Sequence, residues 1–311
     1  MENSEKQVCA IKTSVGGQAL IEGIMMKGPY KSAMAVRKPD GTIEVEEWET
    51  EKMTGIKKVP FIRGIFNLID TLIKGYKCLM KSAEAAGQEE EPDKFELWLN
   101  KTFGKAAGGV FNAIVTVLAV VLCLGLFIVI PSAVASFFGK FTDSKLALSA
   151  IEGVVKMAVF LAYIIGVSKM EDIRRTFMYH GAEHKTIFCY EKGLDLTVEN
   201  VREQIRFHPR CGTSFLLIVL IISILVSSLM TWENLVLRVM LKVISVPVIV
   251  GIAYELIKFA GRHDNLLTRI ISAPGLWLQR FTTQEPDDSM IEVAIAAVTP
   301  VLPENREDGA W

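Results

Sequence analysis

Val110–Ile130, VFNAIVTVLAVVLCLGLFIVI, runs for 21 residues without a charge and stops at Pro131. A helix rises about 1.5 Å per residue, so this run spans roughly 30 Å, the thickness of a bilayer's hydrocarbon core. Three further apolar runs follow. Leu146–Ser168 carries Glu152 and Lys156 at i,i+4, an order that suits a mutual ion pair. Thr213–Met230 is uncharged. Leu235–Ala260 is interrupted by Arg238, Lys242, Pro247 and Glu255, which places its first two turns at the interface and the crossing at Val243–Phe259. The expected fold class is a predominantly α-helical multi-pass membrane protein with about four spans, a small N-terminal α/β cytoplasmic part and C-terminal interfacial helices.

Composition agrees. Half of the 311 residues are apolar, and the mean hydropathy is +0.34. A net charge of -1 offers nothing to a nucleic acid, so no such partner is expected. The five cysteines are scattered without a Cys-x-x-Cys pair, which argues against a disulfide framework or a zinc ribbon. The N-terminus, MENSEKQVCAIKTS, lacks the basic-then-apolar pattern of a signal peptide. Lysine and arginine number 16 before residue 108, eight in Lys169–Arg210 and four from Arg262 onward, against two in Gly139–Lys145 and none in Thr231–Asn234. The positive-inside rule then puts both termini and the 169–210 loop on the cytoplasmic side of the membrane.

Six regions follow from these boundaries: 1–58, 59–107, 108–168, 169–212, 213–260 and 261–311. The first is strand-rich. Ala33–Arg37 and Thr42–Trp48 flank the turn sequence Lys38-Pro39-Asp40-Gly41, which predicts a hairpin, and IEVEEWE alternates so that one face is buried. Gly16-Gly17-Gln18 matches the tip of peptide-release factors, but a lone tripeptide is better read as a plain turn. Glu22 inside IEGIMM is either a solvated strand position or a group reaching toward a site. Pro60–Ala86 has helical periodicity with lysines on one side. It is either an amphipathic helix on anionic headgroups or a helix packed on the hairpin. Gln88–Asp93, QEEEPD, reads as a linker. Asn265–Thr283 mixes apolar and basic residues with Trp277, as interfacial segments do. Glu285–Ala297 starts a helix with acids at its positive end, and VLPENREDGAW reads as disordered.

Chemistry concentrates in Met178–Cys211, which holds three of the four histidines. His180-Gly181-Ala182-Glu183-His184 has the form His-x-x-Glu-His. On a helix, residues i and i+4 share a face, so both imidazoles reach one ion with Glu183 beside them as a general base. Gly181 weakens that helix by about 1 kcal/mol. His208, Cys211, Glu255 and His263 are the candidate third ligands. If His180, His184, His208 and Cys211 all ligate, the site is closed and structural. The plain alternative is coincidence, because two histidines at i,i+4 usually bind nothing. Arg174 and Arg175 read as membrane-facing charges, and four histidines are too few for a di-iron membrane oxygenase.

The segments GGQALIEGIMMKGP, YHGAEHKTIFCYE, HPRCGTSFL and TTQEPDDSMIEVAIAA, in that order, resemble the bacterial DUF1385 family over nearly the whole chain. Its motif residues fall on Gly17, Glu22, Gly23, His180, Glu183, His184, His208, Arg210 and Cys211. The resemblance implies a multi-pass bacterial membrane protein and a metal-dependent enzyme. The leading expectation is a metal-dependent hydrolase acting on a peptide bond or a lipid headgroup ester. His180 and His184 would hold zinc, with His208 or Glu255 completing the set and Glu183 activating water. The alternatives are a membrane scaffold stapled by a His/Cys metal site, and a transporter using Glu152, Lys156, Arg238, Lys242 and Glu255. Four spans are few for a transporter unless the protein forms a homo-oligomer.

Overall fold

The computed structural model describes residues 12–51, 54–87, 107–230, 234–263 and 265–309, so the QEEEPD linker lies outside the described residues. The protein is mostly helical with one small antiparallel sheet. The strands are β1 Gly16–Leu20, β2 Gly23–Lys27, β3 Lys31–Arg37 and β4 Ile43–Glu49. The helices are α1 Ile62–Ala85, α2 Ala107–Leu124, α3 Ile130–Phe138, α4 Lys145–Val167, α5 Glu171–Glu191, α6 Val198–Arg202, α7 Gly212–Ser228, α8 Leu235–Arg262, α9 Leu266–Thr282 and α10 Asp288–Val298. Two compact units result. One comprises Met1–Gln88, Ile164–Val219 and Val250–Trp311, and the other Glu89–Tyr163 and Leu220–Ile249.

In the first unit the sheet is a meander ordered β1-β2-β3-β4. The β3–β4 hairpin turns where the KPDG signal sits. Asp40 Oδ1 accepts from Thr42 N at 2.9 Å, and Gly41 takes a φ of 85°. Gly16-Gly17-Gln18 is not a turn but the start of β1, paired Gly17↔Met26 with β2. Side chains alternate across the central strands. Ile24, Met26, Ala33 and Ala35 face α5 and α10, meeting Tyr179, Ala182, Met290, Ile291 and Ala294. Met25, Met34 and Val36 face the other way, with Leu20, onto Cys78 and Leu79 of α1. A sheet covered on both faces needs apolar residues on both, which is why IMM and AMAV run without polar breaks. β4 is an edge strand, and of IEVEEWE only Ile43 and Trp48 pack against the cores while Val45 is exposed.

Glu22, in the two-residue β1–β2 turn, sits at a φ of 50°. Its carboxylate accepts from Arg175 Nε and Nη2 and from the Tyr179 hydroxyl (3.2 Å), which pins the turn to α5. Arg175 is thus a structural partner of the sheet rather than a membrane-facing charge. The C-terminal VLPENREDGAW, whose last two residues lie outside the described ones, packs on the rest of the unit rather than being disordered. Val301 is buried in the core, and the Gly309 carbonyl accepts from Ser14 N at 2.6 Å. Glu255, expected near the metal, is held by Arg63 (Nε, 2.7 Å) and by the amide of Phe61 (3.1 Å), where α1 starts against α8.

Among the described residues, three helical runs are long and apolar enough to cross a membrane: Gly108–Phe138, α4 and α8. The 17-residue α7 is shorter, about 25 Å. Pro131 does not end the first run. Gly125–Val129 winds as a π turn, and α3 restarts with Pro131 in its first turn, where a missing N–H is harmless.

The second unit holds a buried polar cluster. Glu152 does not pair with Lys156. Its carboxylate accepts from Arg238 Nη2 at 2.7 Å and from Lys242, which also reaches Ser132 Oγ at 2.7 Å. Lys156 turns to Ser223 Oγ instead, at 3.3 Å. Arg238 and Lys242 are buried against this carboxylate, so the first turns of α8 need no polar interface to hold their charges.

Candidate metal centre

The centre is assembled by α5, the loop before α7 and the end of α9, all in the first unit. Glu171 and Asp172 open α5 at its positive end, and Gly193, at a φ of 74°, closes it after Glu191. Across the helix, one turn places His180 and His184 on the same side with ring centroids 4.4 Å apart. Each ring gives its Nδ1–H to a backbone carbonyl: His180 to Thr282 at 2.7 Å and His184 to Arg206 at 2.5 Å. A carbonyl only accepts, so both Nδ1 atoms carry hydrogen. In the neutral rings the Nε2 lone pairs are left for a ligand.

Those nitrogens converge on Cys211. His180 Nε2 lies 3.2 Å from Sγ. The donor atoms of His180, His184 and Cys211 all fall within 4.8 Å of one another. Zinc bound at about 2.0–2.1 Å to nitrogen and about 2.3 Å to sulfur brings such donors about 3.3–3.7 Å apart, so small adjustments close this set on one ion. Thr213, at the start of α7, gives its amide (3.4 Å) to Sγ and has its hydroxyl 3.2 Å away. A helix N-terminus and two imidazoles are the surroundings that favour a thiolate. Burial would raise the Cys211 thiol, but His180 and His184 outweigh it and hold the group well below its usual value. Burial likewise opposes charge on His180, and the thiolate reverses this, lifting the imidazole to about 9.

Glu183 lies beside them. One carboxylate oxygen accepts the Gly17 amide at 3.0 Å, while Oε2 is buried without a hydrogen-bond partner. Burial pushes this acid up, and the two histidines pull it only part of the way back. Gly17 is required by this approach, since a Cβ there would sit 3.1 Å from the Glu183 carboxyl carbon and 2.5 Å from the Met25 carbonyl oxygen.

The structure therefore brings together His180, Glu183, His184 and Cys211. It sets the other sequence candidates apart. His208 stacks behind His184, 5.5 Å between ring centroids, and its Nδ1 accepts the Arg210 amide at 3.3 Å. Its Nε2 points to Glu191 at 3.8 Å. Burial lowers this imidazole to about 4, against the pull of Glu191. Arg210 and the Thr13 amide (2.7 Å) also bind Glu191, so His208 and Arg210 belong to a supporting network. His263 bonds Phe259 O at 3.0 Å on the exposed end of α8, and Glu255 is taken by Arg63.

Sequence reasoning missed the groups that orient the donors. Gln279 clamps the His208 main chain, accepting its amide and donating to its carbonyl, both at 2.7 Å. Thr282 and Arg206 act through backbone carbonyls, which no residue type advertises. Gly181 is explained too: α5 passes so close to Gln284 that a Cβ would meet its carbonyl oxygen.

Residues 59–304 match the family described as "Protein of unknown function (DUF1385)". The uncharacterized protein YqhQ of Bacillus subtilis (strain 168) is 35% identical over 296 residues, covering 94% of this chain and 93% of that protein. No solved structure matches. The chain belongs to the DUF1385 family.

Proposed function

We propose that this member of the DUF1385 family is a metal-dependent hydrolase at the cytoplasmic face of a bacterial inner membrane, with zinc as the favoured ion. His180 Nε2, His184 Nε2 and Cys211 Sγ are the three protein ligands, and Glu183 is the general base. The observation that carries the reading is the buried, partnerless Oε2 of Glu183 beside three converging donors. A buried carboxylate oxygen without a donor is costly unless an ion, a proton or a water stands by it. Bound zinc supplies Lewis acidity and a water that ionises near neutral pH. The chain's own part is to keep both imidazoles turned by their Nδ1 bonds, to hold one Glu183 oxygen on Gly17, and to leave the other to take a proton. Three protein ligands and an unfilled position is the arrangement of catalytic rather than structural zinc sites. The substrate remains a peptide bond or a lipid headgroup ester.

One observation favours a second reading. His184, Glu183 and Cys211 are only 2%, 5% and 5% exposed. Glu183 as a fourth ligand would close the site into a structural staple joining α5 to the loop before α7. Glu183→Gln separates the two. A general base can be lost with little change in zinc affinity measured by chelator competition. The cobalt-loaded variant should still change its visible spectrum when acetohydroxamate enters the vacant position. A fall in affinity of tenfold or more, with no spectral response in the wild type, makes Glu183 a ligand and removes the hydrolase reading.

A further inference from the structure

α9 has two working edges. Thr268, Gly275, Leu278, Gln279 and Thr282 are buried, and this edge orients the candidate metal centre through Gln279 and the Thr282 carbonyl. Leu266, Leu267, Ile270 and Trp277 are exposed, four large apolar side chains along the outside of one helix. A second exposed stripe runs along α1, through Ile69, Leu72, Ile73, Tyr76 and Met80. The opposite side of α1 is used: Gly75 packs on Gln18 and Cys78 on the sheet.

Both stripes are tied to the C-terminal half of α8. Residues 263–265 separate α8 from α9 in the sequence, a reach of at most about 14 Å from Arg262 to Leu266. α1 begins where Gly64 meets Tyr254 and the Phe61 carbonyl meets Gly251, with Arg63 held by Glu255. If the 28-residue α8 crosses the bilayer, α1 starts against its C-terminal half and α9 just beyond its end. Their charge fits an acidic one. α9 carries Arg269 and Arg280 and no acid, and the turn before α1 carries exposed Lys57 and Lys58. Cations flanking an apolar face are the pattern of helices that lie in an anionic headgroup layer.

We infer that the exposed stripes of α1 and α9 lie in the acidic headgroup layer of the bilayer, with α9 as the element between that layer and the metal centre. A helix is about 10 Å thick, so the buried edge of α9 holds the centre about one helix diameter from the lipid. The inference rests on α8 crossing the bilayer and is independent of the hydrolase reading. It commits to lipid rather than a second copy of the chain, because both stripes begin at a helix of membrane-crossing length.

The test uses the full-length protein in nanodiscs of phosphatidylglycerol brominated either high or low on the acyl chain. The fluorescence difference between wild type and Trp277→Phe isolates Trp277. A Tyr76→Trp substitution in the Trp277→Phe background reports on α1. Both tryptophans should be quenched more by bromines near the headgroup than by bromines near the bilayer centre. The quenching should weaken when phosphatidylcholine with the same bromines replaces the acidic lipid. Emission indifferent to every brominated lipid overturns the inference, as does a second copy burying Trp277 in an oligomer. Equal quenching in the two headgroups removes its acidic component.

Discussion

Replacing Glu152 by leucine is expected to destabilise the protein by about 3–5 kcal/mol, because it strands buried cations that share that carboxylate. Arg238 and Lys242 both bond Glu152, and all three side chains are 5% exposed or less. Removing one member of a buried pair costs far more than replacing the set, since the remaining charge loses its partner without regaining water. The triple variant Glu152→Leu, Arg238→Leu, Lys242→Met should therefore recover most of the loss. Thermal unfolding in detergent, followed by circular dichroism, reads both. If Glu152→Leu unfolds with the wild type, the cluster contributes nothing to stability, and these charges are open to another use.

The second large effect is at Gly181, where two physical arguments give opposite signs. Helix propensity says that Gly181→Ala should stabilise α5 by about 1 kcal/mol. Packing says the reverse. The new methyl would collide with the Gln284 carbonyl oxygen, and that backbone is fixed by the Gln284 amide donating to Phe177 O at 2.8 Å. Overpacking of this kind costs about 1–3 kcal/mol. The segment forced outward also carries Thr282, whose carbonyl orients His180. Loss of a group that orients a ligand typically weakens metal binding about 10–100-fold. Gly181→Ala is expected to lower both the unfolding midpoint and the zinc affinity. Gly166→Ala, in α4 with open space around it, is the control that should lower neither. A stabilised Gly181→Ala variant would mean that α5 does not pass this close to residue 284.

Local pattern was legible where the relevant partner lies nearby in sequence. The KPDG hairpin, the apolar runs and the start of α10, where Asp287 caps the Met290 amide, all follow from neighbouring residues. The i,i+4 spacing of His180 and His184 put two donors on one face for the same reason. What failed was pairing over long separations. Glu152 and Lys156 have ideal helical spacing, yet Glu152 is taken by residues 86 and 90 positions away. Glu255 looked like a ligand because an acid in an apolar helix needs a partner, and that partner proved to be Arg63. His208 shares its short motif with Cys211, but its ring faces Glu191 while the cysteine turns toward the two histidines. The last residues read as disordered from polarity alone, although Val301 is buried in the core and Gly309 bonds Ser14. Gly181 read only as a weak point in a helix, since a close backbone approach leaves no mark on the glycine that permits it.

The central claim is that His180, His184 and Cys211 hold one ion. The most direct measurement is zinc content of the full-length protein purified in detergent without chelator. About one zinc per chain is expected in the wild type, with near-complete loss in His184→Ala and in Cys211→Ala. His208→Ala and Glu255→Gln should keep the metal, because those side chains face Glu191 and Arg63. A wild type without metal contradicts the account, and so does zinc retained by Cys211→Ala.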